Sequence, residues 1–220
     1  MLRPLIALLL LAAPLAAQAL CTSDDVAPVK TVVERFLRAD CVDCWRTGAA
    51  AQPAADTLVL DWIVPAPQGE DAPLSAAESD AALERLAALR QRPPRSVATV
   101  TSRQEGQPVP VRIALGEAVN DYVGASIELP EGGREPWQAW LLLVERIPAG
   151  VEGTPLPRLL VRKVFRPEAW ASAGRPAGPL AESRSMQLPA SARPERLRLV
   201  AVVHDARGRI RAITQTECRD

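Results

Sequence analysis

Apolar residues fall along this chain in short runs, and the period within each run separates strand from helix. Val29 to Leu37 carries Val32, Val33, Phe36 and Leu37 with no breaker, which predicts a strand running straight into Cys41. Leu58 to Val64 predicts a second strand, closed by Pro65 and Pro67. Between them, the alanine-rich stretch from Cys44 to Gln52 suits two turns of helix, stopped by Pro53. Ser75 to Arg90 has helical spacing at Ala82, Leu83, Leu86 and Leu89, with Ser75 and Glu78 set as a capping box. Pro93-Pro94 ends that helix, and Val97 to Thr101 reads as the next strand. Strand, Cys-x-x-Cys, helix, strand, helix, strand is an α/β order with a parallel pair.

From Gln107 the texture changes. Val109 to Leu115, Ala125 to Leu129, Ala139 to Val144, Leu159 to Phe165, Leu197 to His204 and Ile210 to Thr216 are short, β-branched or alternating, and Pro, Gly and charged turns separate them. Such a series predicts an antiparallel sandwich or meander. Leu197, Leu199, Ala201 and Val203 share one face, and Asp205 to Gly208 forms a tight return into Ile210. Ala171 to Pro194, rich in Pro, Ser, Ala and Arg, reads as a long excursion or linker. The expected division is therefore a leader at 1–19, an α/β domain at 20–105 and a β-rich domain at 106–220.

Met1 to Ala19 has the order of a secretory signal: Arg3, an apolar stretch from Leu5 to Ala17, then Ala17-Gln18-Ala19 as a small-x-small cleavage site. The stretch is shorter than the roughly 20 residues a spanning helix needs. After cleavage before Leu20 no membrane span is expected, and the compartment is periplasmic or secreted, where cysteines pair.

Composition narrows the chemistry. Lys and Arg number 26 against 26 Asp and Glu, so no net field draws the chain onto nucleic acid. Aromatic residues make up 4%, too few for a stacking platform, and a single histidine, His204, leaves little for a metal centre. Gly-x-Ser-x-Gly, P-loop, Gly-x-Gly-x-x-Gly and His-Glu-x-x-His motifs are missing, so no cofactor is expected. Any chemistry rests on four cysteines.

Four cysteines allow three pairings. In Cys41-Val42-Asp43-Cys44 one helical turn brings the sulfurs together, which leaves Cys21 for Cys218 as a structural bridge between the ends of the mature chain. Val32-Val33-Glu34-Arg35-Phe36-Leu37 followed by Asp40-Cys41-Val42-Asp43-Cys44 resembles the secreted thioredoxin-like bacterial proteins of unknown function whose signature runs Val-Val-Glu-Leu-Phe-Thr and Gly-Cys-Ser-Ser-Cys-Pro. Asp40 stands in place of their Gly and Trp45 in place of their Pro.

The resemblance implies a thioredoxin-like N-terminal half before the β-rich half. It implies exchange with protein thiols and disulfides, with Cys41 attacking and Cys44 resolving, and a cis-proline opposite the pair, expected at Pro94. Glu34, upstream of Cys41, is a candidate buried proton acceptor. Trp45 and Trp62 are expected near the sulfurs. Asp40 and Asp43 disfavour a thiolate and so favour the disulfide, which points to a reducing couple rather than a strong oxidase. A non-enzymatic envelope module braced by the same disulfide is the competing expectation.

Overall fold

A computed structural model of the chain describes residues 21–47, 53–77, 79–172 and 177–218. The expected leader at 1–19 and the second half of the Cys44 to Gln52 helix lie outside these. In chain order the elements are β1 (Cys21–Thr22), β2 (Thr31–Arg38), α1 (Val42–Arg46), β3 (Thr57–Val64), α2 (Asp80–Ala88), β4 (Val97–Arg103), β5 (Arg112–Val119) and β6 (Tyr122–Leu129). There follow β7 (Gln138–Ile147), β8 (Arg158–Phe165), β9 (Leu180–Gln187), β10 (Leu197–His204), β11 (Ile210–Gln215) and β12 (Glu217–Cys218). A five-stranded sheet runs β12-β1-β5-β6-β9, and a seven-stranded sheet runs β11-β10-β7-β8-β3-β2-β4.

This overturns the α/β, thioredoxin-like expectation. The chain is mostly strand, and its two α-helices among the described residues span five and nine residues. The local order holds near the cysteines, where β2 and β3 are parallel and β4 pairs antiparallel with β2. What changes the class is the other side of β3. There β8 joins in parallel, and β7, β10 and β11 extend the sheet antiparallel. Nor does a boundary at residue 105 separate the sheets, since β8 pairs with β3, and β1 pairs with β5 and β12. Strands from the second segment run beside β3 because Leu141 to Val144 and Leu199 to Val203 are apolar at every position and need cover on both faces.

One face of the large sheet meets the small sheet, with Ile113, Leu115, Ile127 and Leu129 packing against Leu141, Leu143, Leu199 and Ala201. The opposite face presents Phe36, Leu60, Trp62, Trp140, Leu142, Val200 and Val202 to α2. Past β4 the chain bonds to β11, Glu105 N–H to the Ile210 carbonyl at 2.8 Å and Val109 N–H to that of Arg211 at 3.0 Å. The sheet therefore curls around α2. That helix begins later than its pattern suggests. Ser75–Ala77 is a single 3₁₀ turn, and the Ser79 side chain caps Ala81 N–H at 3.2 Å. Nine residues do not hold a helix in water, so α2 depends on burying Ala82 and Leu86.

Two details of the small sheet escaped the hydrophobic pattern. The segment read as a linker contains β9, whose mostly exposed Leu-Ala-Glu-Ser-Arg-Ser-Met-Gln suits an edge strand. Asn120 and Asp121, at φ 49° and 60°, turn β5 into β6, and that pair of turn-forming residues was the available signal. The expected return from β10 to β11 is present. Asp205 accepts from Arg207 N–H at 3.0 Å and Arg209 N–H at 3.1 Å, and Gly208 takes φ +77°.

Between α2 and the sheet lies a buried ion pair. Glu34 on β2 accepts from Arg85 Nε at 2.9 Å and Nη2 at 2.8 Å, and from Trp62 Nε1 at 3.1 Å. Arg85 also stacks over Trp140. Breaking a pair at this depth strands a charge. R85M should lower stability by about 3–5 kcal/mol in urea titration. E34Q/R85M, which keeps an acceptor for Trp62, should recover about half of that loss.

Candidate functional site

The two sulfurs lie where a parallel strand gives way to a helix. Cys41 is the N-cap residue of α1, and Cys41 and Cys44 are bonded to each other. The junction before them is pinned to its neighbours through backbone bonds. Arg38 N–H donates to the Ser96 carbonyl at 2.8 Å and Ala39 N–H to that of Val64 at 2.9 Å. Leu74 N–H donates to the Ala39 carbonyl at 3.0 Å, and Cys41 N–H to that of Arg38 at 2.9 Å. None of these bonds passes through the disulfide. Both cysteines are half-buried, and Asp43 between them is exposed.

The charge around the pair differs from the linear reading. Arg38 grips Asp40 through Nε at 2.6 Å and through Nη2, and the hydrogen bond holds the Asp40 carboxyl below its ordinary range. The negative charge at Asp40 is thus largely answered by its neighbour two residues back. Trp45, where the resembling signature has Pro, is buried and anchors α1 by donating Nε1–H to the Glu152 carbonyl at 2.7 Å.

The remaining expected residues scatter. Glu34 lies midway along β2 on the face covered by α2, its carboxylate occupied by Arg85 and Trp62. Trp62 stacks on Phe36 in that same core, so of the two tryptophans only Trp45 belongs to the helix of the cysteines. Pro94 precedes β4, whose start adjoins the end of β2, but no cis peptide occurs among the described residues, so the expected cis-proline is corrected to trans. Cys21 and Cys218 pair directly across β1 and β12. The two disulfides are consistent with an oxidising, extracellular compartment. No helix among the described residues is long and apolar enough to cross a membrane.

No family model, curated protein or solved structure matches the chain.

Sequence reasoning missed a second ionic group, on the sheet face opposite Glu34. Asp61 is fully buried and accepts from Arg35 Nη2 at 2.7 Å and Arg158 Nη1 at 3.2 Å. Burial pushes the Asp61 carboxyl up, against the pull of the two guanidiniums. Arg158 also donates to the carbonyls of Cys44 and Trp45 and lies 4.5 Å over the Trp45 ring. It thereby satisfies the free end of α1 and fastens the disulfide loop to β8. The available signal was a lone acid between Leu60 and Trp62 in an otherwise apolar strand.

His204 ends β10 opposite Gln138 and is half-buried. Burial, and after it the charge of Arg85, pushes its imidazole down to about 4.

Two measurements follow from these positions. The terminal bridge spans 197 residues and the Cys41–Cys44 bridge 3. In the chain-entropy model their removal costs about 5 and about 2 kcal/mol. C21S/C218S should therefore lower the urea midpoint far more than C41S/C44S. For His204 the folded value near 4 lies below the ordinary 6.5. Between these values the unfolded chain binds the proton, so stability is lost as pH falls from about 6.5 to about 4, at up to about 1.4 kcal/mol per pH unit. H204Q should flatten that slope in urea titrations repeated across the range.

Proposed function

We propose that this is an exported, periplasmic or secreted, thiol–disulfide exchange protein whose working couple is Cys41 and Cys44 and whose partners are protein thiols and disulfides. The single observation that carries the reading is a half-exposed disulfide of minimal loop length on a junction held by bonds independent of it. Such a bridge contributes far less to the fold than Cys21–Cys218, and the backbone bonds that pin the strand-to-helix turn do not run through it. The likeness of residues 32–37 and 40–44 to the signature of secreted bacterial proteins supports the same reading.

In the reducing direction the Cys41 thiolate attacks a partner disulfide, forms a mixed disulfide and expels one partner thiolate. Cys44, after losing its proton, attacks the Cys41 sulfur and releases the second partner thiol. The partner gains two electrons and two protons, and the Cys41–Cys44 bond closes. External protein thiols reverse these steps and recharge the couple. Asp43 adds negative charge, and the Arg38 guanidinium is engaged by Asp40, so neither steadies a thiolate. The disulfide is accordingly favoured, and the couple is reducing in character.

The test is equilibration in glutathione buffers, with open thiols counted by alkylation and mass. The expected result is reversible two-electron opening of Cys41–Cys44 in the folded protein. Its midpoint should lie nearer about −270 mV than about −120 mV, with Cys21–Cys218 still closed. If Cys41 reacts only once the chain unfolds, the bridge is a brace and the protein a binding or scaffold module.

A further inference from the structure

Between the N-terminal ends of β3 and β8 the large sheet opens. The two strands share one registered pair, Asp61 with Leu160, whereas β2 and β3 share a full ladder. A groove of 580 Å³ lies in the gap, walled by Leu58, Val59, Leu156 and Leu159. Arg35, Arg146 and Arg158 line it, and no acidic side chain does among the described residues.

These three cations differ in how they are answered. Arg146 pairs with Glu217 at 2.5 Å on the surface. Arg35 and Arg158 share the one Asp61 carboxylate, which leaves a positive charge in excess beside apolar walls. Arg35 Nε is moreover buried without a hydrogen-bond partner among the described residues. A buried guanidinium N–H with no acceptor costs free energy until an acceptor arrives. A carboxylate supplies both the acceptor and the charge. The walls call for an apolar chain behind it, and the volume falls within the roughly 300–1,000 Å³ typical of small-molecule sites. A small inorganic anion would leave the leucine walls wet, and an uncharged chain would leave the surplus positive charge of Arg35 and Arg158 unanswered.

We propose that this groove binds a monocarboxylate with an apolar tail, of the size of a medium-chain fatty acid, with the carboxylate on Arg35 and the tail along Leu58, Val59, Leu156 and Leu159. The site is independent of thiol exchange and is tested by binding alone.

The probe is decanoate below its micellar concentration, titrated calorimetrically into the oxidised full chain, with decanol and inorganic phosphate as the arms that carry one feature each. One saturable site on the order of 10 μM is expected, with decanol and phosphate at least about tenfold weaker. R35M should weaken decanoate at least about tenfold while folding normally, since Asp61 keeps Arg158. L156E, at a half-exposed wall position, should do the same through repulsion and a spoiled apolar surface. The assignment is overturned if no saturable binding appears below about 1 mM. It is likewise overturned if decanol binds as well as decanoate, or if either variant binds decanoate as tightly as the parent.

Discussion

Asp61 is the point through which the parts of this protein are joined. It occupies the one registered pair between β3 and β8, where the strand group carrying the cysteines meets the group contributed by the second half of the chain. Its carboxylate takes a guanidinium from β2 and another from β8. The second of these, Arg158, continues to the carbonyls of Cys44 and Trp45 and to the Trp45 ring. A single buried acid thus ties the sheet seam, the disulfide loop and the floor of the arginine-lined groove into one electrostatic unit. Desolvating these groups costs several kcal/mol per ion, which offsets much of what their mutual attraction adds.

The two faces of the large sheet repeat this device with different consequences. On the α2 side, one Arg meets one Glu, two-pronged, with a tryptophan N–H completing the shell, and the charge is balanced. On the other side two Arg meet one Asp, and the surplus positive charge opens onto an apolar groove. The first arrangement suits a core that stays closed. The second suits a place where an anion arrives. The disulfide stands at the end of the same strand, β2, that carries both Glu34 and Arg35 on opposite faces.

Much of the strand content was legible in the linear pattern, because β-branched and apolar runs bounded by proline mark strands wherever they pack. The strands around Phe36, Trp62, Leu142 and Val202 all lie where the pattern puts them. The cysteine pair at a strand-to-helix junction was legible for the same reason, with a helical turn separating the two sulfurs. The edge strand β9 was not, since a mostly exposed strand carries no apolar period. The cap of α2 also moved, from Ser75 to Ser79, whose own N–H is tied to the Ile63 carbonyl of β3, a contact between segments that the linear pattern does not carry.

The sequence by itself determined the local grammar: which apolar stretches are extended, where proline ends them, which cysteines are close enough to pair, and that charge is balanced overall. Only the tertiary structure decided the class of fold, because strand order depends on contacts between residues a hundred positions apart, such as Asp61 with Leu160. It alone decided which charges are buried together. Arg35 and Arg158 look like ordinary polar positions in one dimension and Asp61 like a lone acid in an apolar strand; Asp61 and Arg158 are buried together, with Arg35 half-buried beside them, because the pleat turns all three to the same face at the seam of the sheet.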